Sequence, residues 1–195
     1  MKTRTTIHFV LLAFLLFGCE KDNPFSVFGD IEGDYKIELL GDRSLELEGF
    51  ADDESHEYKS ILFYEDIKDF NFNGFSETYR NRYNLSFFLT ERNSENPMRI
   101  DVQFTSRATG FKTGVYEILD AEEVEDLNDA TGFTSLIYFD SDGESSSFFR
   151  STRGTVRIAD RSDGNKDVMF DMQLTPVFGS ENWLNAKGKM VLFSN

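Results

Sequence analysis

Apolar side chains fall on every second residue in stretch after stretch of this chain. That period constrains its fold more than any other feature. In "YKIEL" Tyr35, Ile37 and Leu39 share one side and Lys36 and Glu38 the other. "LELEGF" repeats the pattern with Leu45 and Leu47 against Glu46 and Glu48. "RYNLSFFL" puts Tyr83, Leu85, Phe87 and Leu89 inward, and "RIDVQF" does the same with Ile100, Val102 and Phe104. "TVRI" and "VMFDMQL" add Val156 and Ile158, then Val168, Phe170, Met172 and Leu174. Successive side chains of a strand point to opposite faces, so this alternation predicts half-buried strands. Asn73-Gly74, Asp142-Gly143 and Asp163-Gly164 punctuate the runs. These pairs tolerate positive φ, so they favour tight hairpins.

About nine or ten strands result, with at most one short helix, at "DAEEVEDLND", Asp120 to Asp129. There Val124 and Leu127 would face inward, and the early acids suit the helix dipole. Many short strands joined by hairpins predict an all-β, antiparallel β-sandwich, with a lipocalin-like barrel as the alternative. The core must hold by packing, because Cys19 is the only cysteine and no disulfide is open to it. Phenylalanine is abundant, at 21 residues beside 7 tyrosines and one tryptophan.

The N-terminus reads differently. Lys2 and Arg4 precede "FVLLAFLLF", Phe9 to Phe17, and small Gly18 follows. A positive leader, a short apolar run and a small residue at the cut form the layout of a secretory signal peptide. Nine apolar residues are too few for a bilayer span, which needs about 20. "LFGC", Leu16 to Cys19, resembles the bacterial lipobox. That resemblance implies a diacylglyceryl group on the Cys19 thiol, cleavage before it, and acylation of the new amino group. One acyl chain binds a membrane only marginally, whereas several make a lasting anchor. "EKDN", Glu20 to Asn23, resembles the acidic export tag of Bacteroidota surface lipoproteins, with Lys21 interrupting the acid run. A solvated tether accounts for the same residues. The expected organisation is a signal peptide over 1–18, a lipidated cysteine and tether over 19–30, and one all-β domain over 31–195.

From Gly114 onward the chain runs "GVYEI", "YFDSDGE" and "GTVRIADRSDGNKDVMFDMQL", then ends in "AKGKMVLF". This half resembles a group of uncharacterised Bacteroidota lipoproteins, which implies a β-sandwich-like fold and no particular activity. "NWLNAKGK" departs from the group's shorter glycine-phenylalanine ending.

Charge narrows the partners. Removing the signal leaves 18 basic against 35 acidic side chains. Such a surface repels phosphates, so no nucleic acid is expected as a partner. The expected partners are the membrane, through the N-terminal lipid, and a glycan or protein at the cell surface. The expected location is the outer membrane, surface-exposed or alternatively facing the periplasm.

Catalytic signals are sparse. His56, in "DDESHEY", is the sole histidine after the signal, and a solvated histidine in an acidic loop explains it. There is no His pair or Cys cluster for zinc, no serine elbow and no phosphate loop. The acids alone select no glycosidase pair. "DSDGES" and "DRSDGN" offer alternating oxygens of the kind Ca²⁺ takes, yet a hairpin turn explains both without an ion. No cofactor, metal or catalytic residue is assigned.

Aromatic residues are the best binding candidates. Phe70, Phe72 and Phe75 surround the Asn73-Gly74 turn. Phe148 and Phe149 are adjacent, so one ring of the two should point outward. Trp183 lies between asparagines in "ENWLN" and is expected on an exposed loop as a ligand contact. The chain therefore reads as an outer-membrane-anchored lipoprotein with a non-catalytic binding or structural β-domain. The alternatives are a carbohydrate-binding accessory protein of a polysaccharide-uptake system and a secreted hydrolase.

Overall fold

The alternating segments become strands in a computed structural model. It describes residues 32–65, 70–72, 75–77, 82–106, 111–120, 132–141, 143 and 145–194, all within the unit Ile31–Asn195. Cys19, the Asn73-Gly74 turn and all but Asp120 of the expected helix lie outside the described residues. Among the described residues there are twelve strands and no helix.

β1 (Tyr35–Gly41) and β2 (Ser44–Gly49) form a hairpin, and β3 (His56–Glu65) follows. β4 (Phe70–Phe72) and β5 (Phe75–Glu77) form a separate two-stranded sheet among the described residues. Then come β6 (Arg82–Glu91), β7 (Arg99–Ser106), β8 (Gly114–Ile118) and β9 (Phe133–Asp140). β10 (Ser146–Asp160), β11 (Lys166–Phe178) and β12 (Trp183–Leu192) complete the chain. Ten of these strands make one sheet, in the order β2-β1-β12-β11-β10-β8-β9-β7-β6-β3. Among the described residues every pairing is antiparallel except a single bridge, Ile118 to Phe133, between β8 and β9.

The sheet comes close to closing on itself, which is the barrel alternative rather than two packed sheets. β2 and β3 are its ends, and side chains rather than a ladder bring β3 against β12 and β1. The Tyr58 hydroxyl donates to the Val191 carbonyl at 2.7 Å, and the Phe193 amide donates to Ser60 Oγ at 3.0 Å. The Tyr58 ring stacks on Tyr35, centroids 5.3 Å apart.

The long strand β10 forks the sheet. Its residues Ser146–Arg150 pair with β9, and Gly154–Ile158 pair with β8. A bulge between Ser151 and Arg153 marks the switch. Gly154 beside it has φ +150°, and a Cβ there would overlap the Asp171 carbonyl oxygen. Only glycine fits where backbones approach this closely.

The inward rows are those the alternation predicts. Tyr35, Ile37 and Leu39, then Leu85, Phe87 and Leu89, then Ile100, Val102 and Phe104 are all buried. Val168, Phe170 and Met172 meet them from the opposite wall, with Phe104 and Phe170 centroids 5.4 Å apart. These described rows fill the interior with side chains, and the alternate residues of the same strands form the outer face.

Candidate functional site

Register builds the site. Lys59 of β3 is opposite Phe88 of β6, and Phe88 is opposite Asp101 of β7. Asp101 is opposite Tyr138 of β9, Tyr138 is opposite Phe148 of β10, and Phe148 is opposite Phe178 of β11. Residues directly opposite in antiparallel strands project from the same face, with Cβ atoms about 4.5–5.5 Å apart. Their neighbours Phe87, Val102, Ile137 and Phe149 are fully buried on the core side. One row across six strands therefore carries four aromatic rings on the outer face.

The rings meet. Phe148 and Phe178 stack at 5.5 Å, and Tyr138 and Phe148 centroids lie 5.9 Å apart. The break in the row at Asp101 is filled from the same strand by Arg99. Its guanidinium lies 5.9 Å from the Phe88 centroid and 5.7 Å from that of Tyr138. Cation–π attraction favours that placement. Asp101 orients Arg99 bidentately, accepting from Nε at 2.8 Å and from Nη2 at 2.5 Å. Hydrogen bonding to Asp101 raises the pKa of Arg99. Desolvation, then the Asp140 carboxylate that accepts its proton at 3.1 Å, raises the phenol of Tyr138.

A groove of about 430 Å³ opens above this row, lined by Phe63, Phe88, Arg99, Asp101, Gln103 and Tyr138 among others. A second recess of about 280 Å³ adjoins it, sharing Phe88 and Arg99 and reaching Glu57, Lys59 and Ile61. Lys59 and Glu57 pair at 2.6 Å, so the charges of this recess also answer one another.

The expected site residues fare differently. Trp183 is a correction. It is not on an exposed loop; it opens β12 and is 1% exposed, edge-on to Phe139 at 5.9 Å. The cause is a register shift opposite Leu40 and Gly41, where Gly41 pairs with Trp183 and Leu40 with Asn185. Leu184 is passed over and points outward, half exposed, while Trp183 turns into the core. Phe70 and Phe72 lie on β4 and Phe75 on β5, with Phe72 paired to Phe75. Of the adjacent pair, Phe149 is buried and Phe148 is the outward ring. Phe88 and Tyr138 were not among the sequence candidates; their only signal is their position between inward residues.

His56 begins β3, and its Nδ1 lies 3.1 Å from Ser55 Oγ. Ser55 sits between the acid and the imidazole, donating its hydroxyl proton to Asp53 at 2.6 Å. A hydrolase needs the serine proton on the imidazole and the acid behind it, so this chain of contacts is a turn, capped also by the Ser55 amide on Asp53 at 2.8 Å. In the two acidic turns, Asp140 accepts the Gly143 amide at 2.7 Å, Asp160 pairs with Lys166, and Asp163 pairs with Arg161 at 3.1 Å. Among the described residues, no three His, Cys, Asp or Glu side chains group to hold a metal ion. No helix among them is long and apolar enough to cross a membrane.

No family model, curated protein or solved structure matches the chain.

Proposed function

We propose that this protein is an outer-membrane lipoprotein, held by acyl chains on Cys19 and displayed at the cell surface. Its β-domain binds a ligand on the outer face and catalyses no reaction. The anchor rests on the lipobox-like "LFGC" and the charged residues that follow it. The binding role rests on one observation: on the outer face Phe88, Tyr138 and Phe148 line a groove together with the Arg99–Asp101 pair, and Phe178 extends their row. On that face Phe178 is exposed and Phe88, Tyr138 and Phe148 are half-buried. Four rings there are not needed to fill the core, and rings grouped where they reach the surface mark interaction sites.

Two measurements test the reading. Cys19→Ala should release the protein from the membrane fraction or leave it unprocessed. A processed Cys19→Ala protein that still needs detergent for extraction rules out the anchor. Cells displaying the wild type or the Phe88→Ala, Tyr138→Ala double variant are then offered fluorescent dextran, alginate, casein peptides and phosphatidylcholine vesicles. Wild-type cells should retain at least one probe, and the double variant should lose it. Equal retention of every probe by the two, or of none by either, overturns the binding role.

A further inference from the structure

The geometry points to a neutral oligosaccharide as the ligand of the outer-face groove; this rests on the groove being the binding surface. The polar groups decide the class. Asp101 has about four lone-pair positions and gives two to Arg99, so two remain. Arg99 has five N–H donors and uses Nε and one on Nη2, so three remain. Gln103, one pleat along β7, adds a planar group with both donors and acceptors. The ligand must therefore offer donors and acceptors close together. It must also present apolar C–H surface to Phe88, Tyr138 and Phe148. A pyranose ring has both, with an apolar face ringed by hydroxyls that each donate and accept.

Other classes meet specific obstacles. Among the described residues lining the groove and its recess, an anionic ligand finds no unpaired cation, because Arg99 is held by Asp101 and Lys59 by Glu57. The chain's net charge of −15 also repels it. An acyl chain would strip water from the Arg99–Asp101 pair and return no hydrogen bond, which costs more than the apolar contact gains. A peptide adding as a strand needs a free sheet edge, and this row crosses β6, β7, β9 and β10 in the middle of the sheet. The span from Lys59 to Phe148 covers four strand spacings, roughly 19 Å at about 4.8 Å each, which suits several sugar units rather than one. The main groove's volume of about 430 Å³ is that of an ordinary ligand pocket, about 300–1,000 Å³.

The test uses the full chain carrying Cys19→Ala on an array of neutral and acidic glycans, followed by titration with the retained oligosaccharide. Neutral glycans should be retained and acidic ones not. Phe88→Ala should weaken binding at least tenfold. Asp101→Asn is the sharper variant: it keeps the shape but leaves Arg99 unpaired, so neutral binding should fall at least tenfold and acidic glycans should now be retained. Val115→Ser, at a 62% exposed position on β8 outside the groove, should bind as the wild type does. Circular dichroism of each variant checks that the sheet is intact. An array with no neutral glycan retained, or neutral binding that Phe88→Ala and Asp101→Asn leave unchanged, overturns the assignment. Groove-dependent retention of casein peptides or vesicles instead overturns the glycan while leaving the groove as the binding surface.

Discussion

Trp183→Ala should cost the domain about 3 kcal/mol, and the figure follows from the ring's surroundings. Trp183 is 1% exposed and heads the largest fully buried side chains. Emptying such a site costs about 3–5 kcal/mol. Two local terms adjust this. The edge-to-face contact with Phe139 at 5.9 Å and Arg43 at 5.4 Å over the ring are lost together. These add about 1–2 kcal/mol, the lower end applying because the Arg43 side chain is 59% exposed. Against them, the buried Nε1 has no hydrogen-bond partner among the described residues, and truncation removes that donor's penalty of about 1–3 kcal/mol. The net is about 3 kcal/mol, or a melting-temperature drop of about 6–12 °C at this chain length. Trp183→Phe keeps a ring and deletes the orphan donor, so it should cost only about 1 kcal/mol. Urea unfolding followed by Tyr fluorescence reads both variants. A Trp183→Ala loss below about 1 kcal/mol means the ring is not core, and the inward turn of β12 is wrong.

Gly154→Ala should destabilise more than Gly164→Ala. Both sites have positive φ, costing about 1–3 kcal/mol of strain, but a Cβ at Gly164 meets open space while one at Gly154 overlaps the Asp171 carbonyl. Equal urea midpoints for the two variants would remove the fork's close approach. Tyr58 supplies a pH prediction. Burial, then the Asp34 carboxylate, raises its pKa well above 10.0, so the folded state holds the proton more tightly than the unfolded chain does. That stabilisation is complete below about pH 10 and is lost as pH rises toward the folded value. Urea midpoints from pH 8 to 11 should therefore fall above about pH 10, and less steeply in Tyr58→Phe. Tyr35 and Tyr138, both also raised, keep some of the slope in that variant. A midpoint flat to pH 11 in the wild type contradicts a buried Tyr58 phenol.

Strand identity was legible wherever the period ran unbroken. Ile37, Leu85, Val102 and Phe170 face inward as their spacing requires, because one buried face makes a register slip costly. Closure into one sheet was not legible. It depends on β12 pairing with β1, from opposite ends of the domain, and on Tyr58 reaching Val191. Alternation says which face is buried but not which strands are neighbours. The β10 fork escaped for a related reason: "TVRI" shows only one part of a strand that runs over 15 residues and changes partners at Gly154. Trp183 was misplaced because a bulge breaks the period. Counting back by twos from Ala186 puts Leu184 inside and Trp183 outside, and the shift at Leu184 reverses both.

The groove is a harder case, and its difficulty bears on what kind of site it is. Phe88, Tyr138 and Phe148 each sit alone among inward residues of their own strands, so each reads as one stray outward ring. Single exposed apolar residues are ordinary. They become a surface only through the ladders Phe88–Asp101–Tyr138–Phe148, which join residues 60 positions apart in the chain. A core residue shows itself by its spacing, because each strand must bury one face to fold. An outer-face row is under no such demand, so folding alone does not require that these positions be aromatic. Nor does it require Arg99 to lie between two rings with its charge answered by Asp101. An exposed ion pair contributes little to stability, about 0–1 kcal/mol. Substituting Arg99 or Asp101 should accordingly change what the groove holds far more than it changes the urea midpoint.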